Sequence, residues 1–581
     1  MRYITRFFAL FGLVVFLAIA GTVLWVNMML GGPKPLPPSF ILEYTLDGDI
    51  RESPSTSPLS ALLGSQPGLH DLVGRIRRAA DDTRVKGFIV QIGSSGLGLA
   101  QIQELRDAVE FFRKNGKPAV AFAETFGEFS PGQKLYWLAS AFDTVWLQPV
   151  GMVGLTPLSL EMPFAADAVN SLGLQPEIGQ RMEYKTAFSP LTDKNLTPAN
   201  REQYTALLND LSDQIIQGIA QGRNMDPAKV RTLMDQGPFL DQEALSAGLV
   251  DHLGYYDEAR AETLKKAGEK TEAVDMADWT PEASKDAPRM ALVHLSGLIV
   301  RGDGKLDPLT GGMAAGAASI AEGIEEAVKD KKIKAIVVRI DSGGGSPAAS
   351  ETIRRAVALA KEAAKPVVVS MSNAAASGGY WVAMSASAIV AQPSTLTGSI
   401  GVVGGKIATE ETWKKLGITW EQLSAGQGSP TLWSQVQPYS PEDRKKMEAM
   451  LDWTYEAFVR GVAQERKLPM DRVRDIARGR VWSGARAKEL GLVDELGGLN
   501  TAVRKARILA GLPEEGPTAL VPYPQPKQPF GNLLRSLRQL GVQSEMLLKT
   551  LSWIAPLFEA GAPLSALTRT GAIAPLPSLV E

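Results

Sequence analysis

The sequence predicts an α/β fold built from two tandem copies of one domain that follow an N-terminal transmembrane helix. Three observations predict it. Short β-branched apolar runs alternate with helical patterns, segments of the first half recur in the second half, and one long apolar run lies near the N-terminus. Buried β-branched runs separated by helices are typical of a largely parallel sheet covered by helices.

The repeated segments keep a nearly constant spacing. The offset is 243 or 244 residues for most matched pairs and 248 for one apolar run upstream. Such a period is far too long for a solenoid, so each copy is predicted to be a domain. The matched pairs are Tyr136-Trp137 with Tyr380-Trp381, 248–254 with 491–497, 86–92 with 334–340, and the helix-opening prolines Pro198 with Pro441.

The second copy shows the alternation most clearly. Strands are predicted at 290–293, 335–340 and 366–370, and helices at 319–329 and 350–364. In a largely parallel sheet, the loops at the carboxyl ends of the strands are where ligands usually bind. The loops that follow the second and third strands are therefore the first places to look for a site.

Composition excludes several classes of function. The 581 residues carry 61 Lys+Arg and 63 Asp+Glu, a net charge of −2, which argues against broad nucleic-acid binding. Cysteine is absent, so disulfides, thiolate catalysis and cysteine–zinc sites are excluded. The three histidines, His70, His252 and His294, fit no metal-ligand spacing and give little support to a Ser-His-Asp triad. No cofactor is expected.

The segment 7–30 is almost entirely apolar, and Arg2 and Arg6 precede it. About 20 apolar residues span a bilayer, and positive flanks stay in the cytoplasm. The segment is therefore expected to be a single-pass anchor with the body of the protein on the far side of the membrane, which for a bacterial inner membrane is the periplasm. The alternative is a cleaved signal peptide ending near Ala18-Ile19-Ala20, which the continuing apolar run disfavours.

These features divide the chain into four parts. After the anchor at 7–30 come a first repeat at 40–270 and a second repeat at 288–512. Residues 513–581 read as a linker and an amphipathic tail with leucines at helical spacing. The tail is predicted to pack on the protein or a partner subunit, or else to lie on the membrane surface.

Two loops of the second repeat suit acyl transfer. They are 341–346, which is rich in glycine, and 373–381, in which Ser377 is predicted to begin a helix. The N-terminal N–H groups and dipole of a helix favour negative charge. The N–H of Gly378, with one from Gly344 or Gly345, is a candidate oxyanion hole.

The chain resembles the long form of the signal peptide peptidase A (protease IV) family over roughly residues 40–510. The resemblance rests on ASGGYW, PSTLTGSIGV, GGSPAAS and EYKTAFSP at 376–381, 393–402, 344–350 and 183–190. It implies a Clp-protease/crotonase-like α/β fold and a serine endopeptidase with a Ser–Lys dyad. It also implies cleaved signal peptides as substrates and a bowl-shaped homo-oligomer, typically a tetramer. Asp341 and Gly343 stand where the family usually has Asn and Pro.

A serine hydroxyl needs a base, and lysine is the natural candidate because no histidine suits. Its pKa must fall from about 10.4 to roughly 7–8, which burial among apolar groups achieves. The resemblance assigns the nucleophile to Ser377 and the base to Lys185, and it assigns to Ser399 the role of orienting the lysine amine.

The duplication supports a shared site. At the repeat offset, Ser377 matches Gln133 and Lys185 matches Gly428, and no lysine occurs from 416 to 443. Each repeat thus holds only one member of the pair, which predicts a site between the two halves, within one chain or between protomers. The alternatives to a peptidase are a crotonase-like enzyme of another activity and a catalytically silent membrane scaffold.

Overall fold

The structure is a computed structural model that describes residues 35–48, 50–52, 68–281, 286–304, 314–426 and 430–524, together with the single residues 21, 284 and 428. The predicted anchor at 7–30, apart from residue 21, and the tail beyond 524 lie outside the described residues. Among the residues that are described, no helix is both long and apolar enough to cross a membrane.

The first repeat alternates strands with helices and ends in a helix and a short edge strand. Its elements are β1 Phe40–Leu46, α1 Leu69–Asp81, β2 Val85–Ile92, α2 Leu99–Lys114, β3 Ala119–Ala123, α3 Gln133–Ala139, β4 Thr144–Leu147, β5 Met152–Val153, α4 Ala166–Ser171, β6 Gln175–Arg181, α5 Ser189–Thr192, α6 Pro198–Arg223, α7 Pro227–Gln236, β7 Phe239–Leu240, α8 Asp241–Ala247, β8 His252–Leu253, α9 Tyr256–Ala267 and β9 Glu272–Asp275.

The second repeat follows a similar order, with the additional strands β11 and β12 and with longer strands near the site. Its elements are β10 Arg289–Ser296, β11 Ile299–Val300, β12 Ala315–Gly316, α10 Ala317–Lys329, β13 Ile333–Ser342, α11 Pro347–Glu362, β14 Val367–Ala376, α12 Gly378–Ala383, β15 Ala388–Ala391, β16 Leu396–Gly398, β17 Val402–Ala408, α13 Glu410–Lys415, α14 Pro441–Arg466, α15 Met470–Ile476, β18 Val481–Ser483, α16 Gly484–Glu489, β19 Glu495–Leu496, α17 Leu499–Leu509 and β20 Ala519–Tyr523.

The two central sheets have one topology. The first has the order β8-β4-β3-β2-β1-β9, and the second contains the matching order β19-β15-β14-β13-β10-β20, all parallel. Each repeat also has one matching antiparallel pair, β5–β7 in the first and β16–β18 in the second. The prediction of tandem α/β domains is therefore confirmed.

Side-chain contacts repeat along with the backbone. Tyr136 Oη donates to the carbonyl of Leu249 at 2.7 Å, and Tyr380 Oη donates to that of Leu492 at 3.0 Å. The helices α6 and α14 open on the predicted prolines, each capped by a hydroxyl, from Thr197 or Ser440. These matched hydrogen bonds and helix caps show that the two repeats also share local side-chain contacts.

The sheets extend past the predicted repeat ends at 270 and 512. The edge strand β9 pairs with β1, and β20 pairs with β10. Both strands are short and only partly buried. No long apolar run marks them, which is why the pattern-based boundaries stop short.

The two repeats are joined by a small antiparallel sheet and by a buried ion cluster. In the sheet, β6 of the first repeat pairs along its whole length with β17 of the second. In the cluster, the guanidinium of Arg339 on β13 lies between Glu52 and Glu104 of the first repeat, with N–O distances of 2.8 and 2.7 Å. Both connections place the end of β6 beside the carboxyl end of β14.

Candidate active site

Ser377 lies at a sharp turn between β14 and α12. Its backbone has φ 53° and ψ −117°, a conformation that residues other than glycine rarely adopt. Its N–H donates to the carbonyl of Gly398 at 2.9 Å. Gly379 permits the turn because a Cβ there would lie 2.9 Å from the carbonyl oxygen of Ser342. Strain of this kind is common where a side chain is held for function.

Lys185 lies in the turn that follows β6 and is only 6% exposed. Its Nζ lies 2.8 Å from Ser377 Oγ, and it donates to the Oγ and the backbone carbonyl of Ser399, both at 2.9 Å. The structure therefore brings together within one chain the three side chains that the sequence predicted to meet. Because Lys185 belongs to the first repeat and the serines to the second, these contacts cross the boundary between the repeats.

Burial lowers the pKa of Lys185 to about 7. Desolvation is the cause, since removing the ammonium from water disfavours the charged form. Among the described residues, the hydrogen-bond partners of the amine are two hydroxyls and a carbonyl, and none is a carboxylate. An amine with this pKa is substantially neutral near pH 7 and can accept a proton.

Ser399 is held in position by its own backbone. It follows β16 with φ 48°, again in the left-handed region, and its N–H donates to the carbonyl of Arg480 at 2.8 Å. This turn aims the hydroxyl and the carbonyl of one residue at the same amine. A change of turn geometry would therefore remove both acceptors from Lys185.

The glycine loop after β13 packs against the serine turn. A Cβ on Gly344 would lie 2.6 Å from the nitrogen of Gly378, and a Cβ on Gly378 would lie 3.1 Å from the nitrogen of Gly345. The N–H of Gly344 donates to Ser342 Oγ at 3.1 Å, and Ser342 Oγ donates in turn to the carbonyl of Gly297 at 2.6 Å. The N–H of Gly344 is thus engaged inside the loop, which favours Gly345 as the partner of Gly378.

Asp341, one of the two residues that depart from the family pattern, joins β13 to β14 below these loops. Its carboxylate accepts from the backbone N–H of Ala374 at 3.0 Å. Burial, with a further contribution from the nearby Glu52, raises the pKa of Asp341 to about 6. At neutral pH the carboxylate can accept this bond, so aspartate at this position still connects β13 to β14.

The positions that match Ser377 and Lys185 in the opposite repeat do not form a second site. Gln133, the counterpart of Ser377, is a buried first residue of α3 and carries no hydroxyl. Gly428, the counterpart of Lys185, is exposed. In the described part of the chain, no cluster of three or more His, Asp or Glu side chains is arranged to hold a metal ion.

Sequence reasoning missed several residues that shape the site. Ser342 lies inside the glycine-rich loop 341–346, but the sequence pattern carries no sign that its hydroxyl accepts a hydrogen bond from the N–H of Gly344. Gly479 and Arg480 lie about 80 residues beyond Ser399, in a segment without a motif. Only the spatial contacts identify them, because one sequence carries no sign of which distant residues meet.

Comparison with known proteins gives one family. The model described as peptidase family S49 matches residues 111–270 and 359–513, one segment in each repeat. The chloroplastic serine protease SPPA of Arabidopsis thaliana is 30% identical over 521 residues, which cover 88% of this chain and 75% of that protein. Protease 4 of Salmonella typhi is 32% identical over 524 residues, with coverages of 86% and 83%. Protease 4 of Haemophilus influenzae is 29% identical over 458 residues, with coverages of 76% and 72%. This chain therefore belongs to peptidase family S49 and is a serine peptidase related to protease 4.

Proposed function

We propose that this serine peptidase is a membrane-anchored endopeptidase that degrades cleaved signal peptides and other apolar peptides through a Ser377–Lys185 dyad. One observation carries the mechanism. A buried, largely neutral amine lies 2.8 Å from the hydroxyl of a strained serine. Contact between a nucleophile and a base with a pKa near the working pH is the arrangement that activates a serine.

Acylation begins when the neutral amine of Lys185 takes the proton of Ser377 Oγ. The oxygen attacks the carbonyl carbon of the peptide bond and forms a tetrahedral oxyanion. In the proposed mechanism the N–H groups of Gly378 and Gly345 donate to that oxyanion, and losing one such donor typically costs about 3–4 kcal/mol. The ammonium of Lys185 then gives its proton to the leaving amine, the C–N bond breaks, and an ester to Ser377 remains.

In deacylation a water molecule replaces Ser377 as the nucleophile, and Lys185 again acts as the base. Lys185, neutral again, takes a proton from a water molecule, and the hydroxide attacks the ester carbonyl. The ester bond breaks, Ser377 Oγ recovers a proton from Lys185, and a peptide carboxylic acid is released. Ser399 keeps the amine pointed at the reacting oxygen in both steps, because two of its oxygen atoms accept from Nζ.

The substrate class and the location rest on the predicted anchor and on the family resemblance. An anchor at 7–30 keeps the catalytic body beside the membrane in which cleaved signal peptides remain. The positive residues before it favour a periplasmic body. Assembly as a homotetramer belongs to the same proposal, and neither nucleic acid nor a cofactor is required.

The test compares cleavage of an apolar fluorogenic peptide by the wild type, Ser377→Ala and Lys185→Ala. Each variant should lose at least about 1,000-fold in kcat, as removal of one member of a catalytic serine site does. Ser246→Ala and Lys229→Ala are matched controls, because both residues are exposed on helices of the first repeat. Cleavage by either dyad variant at the control rate would refute the mechanism.

A further inference from the structure

One short segment of the second repeat packs against two turns of the candidate site. It comprises residues 478–481, which lead into β18, and we refer to it as the bridging segment. Its residues contact the turn that carries Ser399 on one side and the turn that carries Lys185 on the other.

On the serine side, the bridging segment extends the β16–β18 ladder by two hydrogen bonds. The N–H of Ser399 donates to the carbonyl of Arg480 at 2.8 Å, and the N–H of Gly479 donates to the carbonyl of Ile400 at 2.9 Å. These bonds flank Ser399 and hold its left-handed turn. The segment therefore sets where the two oxygen atoms of Ser399 lie.

On the lysine side, the bridging segment packs directly on the backbone of Lys185. A Cβ added to Gly479 would lie 2.6 Å from both the Cβ and the nitrogen of Lys185, closer than real Cβ contacts. The N–H of Tyr184 donates to the carbonyl of Arg478 at 3.2 Å. Gly479 itself has φ +79°, so both its conformation and its surroundings require glycine.

The side chain of Arg480 ties this segment to the first repeat. Its guanidinium donates to both carboxylate oxygens of Glu202 on α6, at 2.9 and 2.8 Å. It also lies over the rings of Tyr184 and Trp482, 5.2 and 4.3 Å from their centroids. A planar fork that is both paired and stacked gives an orientation that a lysine cannot reproduce.

We propose that Gly479 and Arg480 are positioning residues for the general base, because the bridging segment fixes the distance between Lys185 Nζ and Ser377 Oγ by holding both turns at once. This inference deepens the proposed function and rests on Lys185 acting as the base. Gly479 lets the backbone of the lysine turn approach, and Arg480 holds the two repeats in register at that point.

The first test compares Gly479→Ala with Gly417→Ala. Both glycines have φ in the seventies, so both substitutions place alanine in the same strained conformation, but nothing lies within 4 Å of a Cβ at Gly417. The full-length protein is treated with a fluorophosphonate, and modification of Ser377 is followed by mass spectrometry. Gly479→Ala should react about 100-fold more slowly at pH 7.5, since displacements near 1 Å cost rates of that order. Gly417→Ala should react at the wild-type rate.

A second readout follows Lys185 without any reaction. Protein labelled with ¹³C at lysine Cε is titrated by NMR, with Lys185→Arg as the assignment control. In the wild type and in Gly417→Ala the Lys185 signal should titrate at about pH 7. In Gly479→Ala its midpoint should rise, because a displaced amine is better solvated.

The second variant pair keeps the inference testable if Gly479→Ala does not fold. Arg480→Lys retains the charge but loses the forked contact, and it should slow labelling about tenfold with an unchanged melting temperature. Arg474→Lys is the control, because Arg474 makes a similar two-bond contact with Glu456, at 2.8 and 2.7 Å, within the second repeat. Wild-type rates in Arg480→Lys would overturn the role of Arg480.

The outcomes distinguish a failure of the positioning role from a failure of the proposed Ser377–Lys185 dyad. Equal labelling and equal lysine titration in Gly479→Ala and Gly417→Ala would overturn the positioning role. If the wild type does not label at Ser377, the proposed dyad is wrong. The titration of Lys185 then still tests whether the bridging segment holds the amine in its buried position, since a raised midpoint in Gly479→Ala supports that contact and an unchanged one refutes it.

Discussion

Replacing Lys185 with methionine should remove a pH-dependent cost to the stability of the folded protein while it abolishes the proposed chemistry. The substitution keeps a long flexible side chain but removes the charge that the site disfavours. The pKa of this lysine is lowered from 10.5 to about 7 by burial, so the folded state holds the proton less tightly than the unfolded state does. Lys185 therefore lowers the free energy of unfolding at every pH at which the unfolded chain binds this proton more fully than the folded chain does.

The magnitude follows from linkage. Each pKa unit is worth about 1.36 kcal/mol, so the lysine costs the folded state about 4 kcal/mol at pH 7. The folded pKa lies below the unfolded one, so the cost shrinks as pH rises from 7 toward 10.5 and is about 2 kcal/mol at pH 9. Methionine also leaves the hydroxyls of Ser377 and Ser399 without the amine as a hydrogen-bond partner. This loss destabilises the variant by about 1–3 kcal/mol for each hydroxyl. That penalty does not depend on pH, whereas the lysine term falls by about 2 kcal/mol between pH 7 and pH 9.

The assay is urea denaturation followed by tryptophan fluorescence at pH 7 and at pH 9. The stability difference between Lys185→Met and the wild type should move by about 2 kcal/mol in favour of the wild type at the higher pH. Lys229→Met, which changes an exposed lysine on α7, should show no such change with pH. A difference that stays constant between the two pH values would refute the claim that Lys185 is a buried amine with a strongly lowered pKa.

Three further perturbations test other parts of the site. Ser399→Ala removes one of the two acceptors that orient the amine and should lower kcat about tenfold, measured with the fluorogenic peptide, while the remaining carbonyl preserves some activity. Ser342→Ala releases the N–H of Gly344 and loosens the oxyanion loop, so kcat should fall about 10- to 100-fold with little change in KM, which a titration of substrate will show. Arg339→Met leaves the Glu52 and Glu104 carboxylates buried without a cation and should cost about 3–5 kcal/mol in urea denaturation. An unchanged denaturation midpoint in this last variant would contradict the role of the ion cluster in joining the repeats.

The sequence predicts the parts of the fold that local pattern controls. The β-branched runs that predict β13 and β14 become central strands, and they are buried on both faces of the sheet. Thr197 and Ser440 cap helices as the residue order Thr-Pro or Ser-Pro indicates. In each case the physical determinant lies within a few residues of the feature, so a single sequence is enough to show it.

The missing parts depend on contacts between distant residues. The pairing of β6 with β17 was not predicted, because β6 is a partly exposed strand containing Pro176 and Gly179 without a clear apolar alternation. The ion cluster was not predicted either, since Glu52 and Arg339 are 287 residues apart. The position of Lys185 beside Ser377 was predicted from the family resemblance and from the mismatched repeats, and the geometry that produces it depends on these distant contacts.

Docking of the repeats therefore does more than bring two side chains together. The base can act near pH 7 only while its amine is desolvated. The second repeat supplies Ser399, whose two oxygen atoms contact the amine, and Gly479, which packs on the backbone of Lys185. If the repeats separate, the amine returns to water, its pKa returns toward 10.5, and it becomes fully protonated at neutral pH. A weakened interface, as in Arg339→Met, should consequently shift the pH at half-maximal Ser377 labelling upward before the protein unfolds. In a domain pair of this kind, correct assembly is what turns an ordinary lysine into a base.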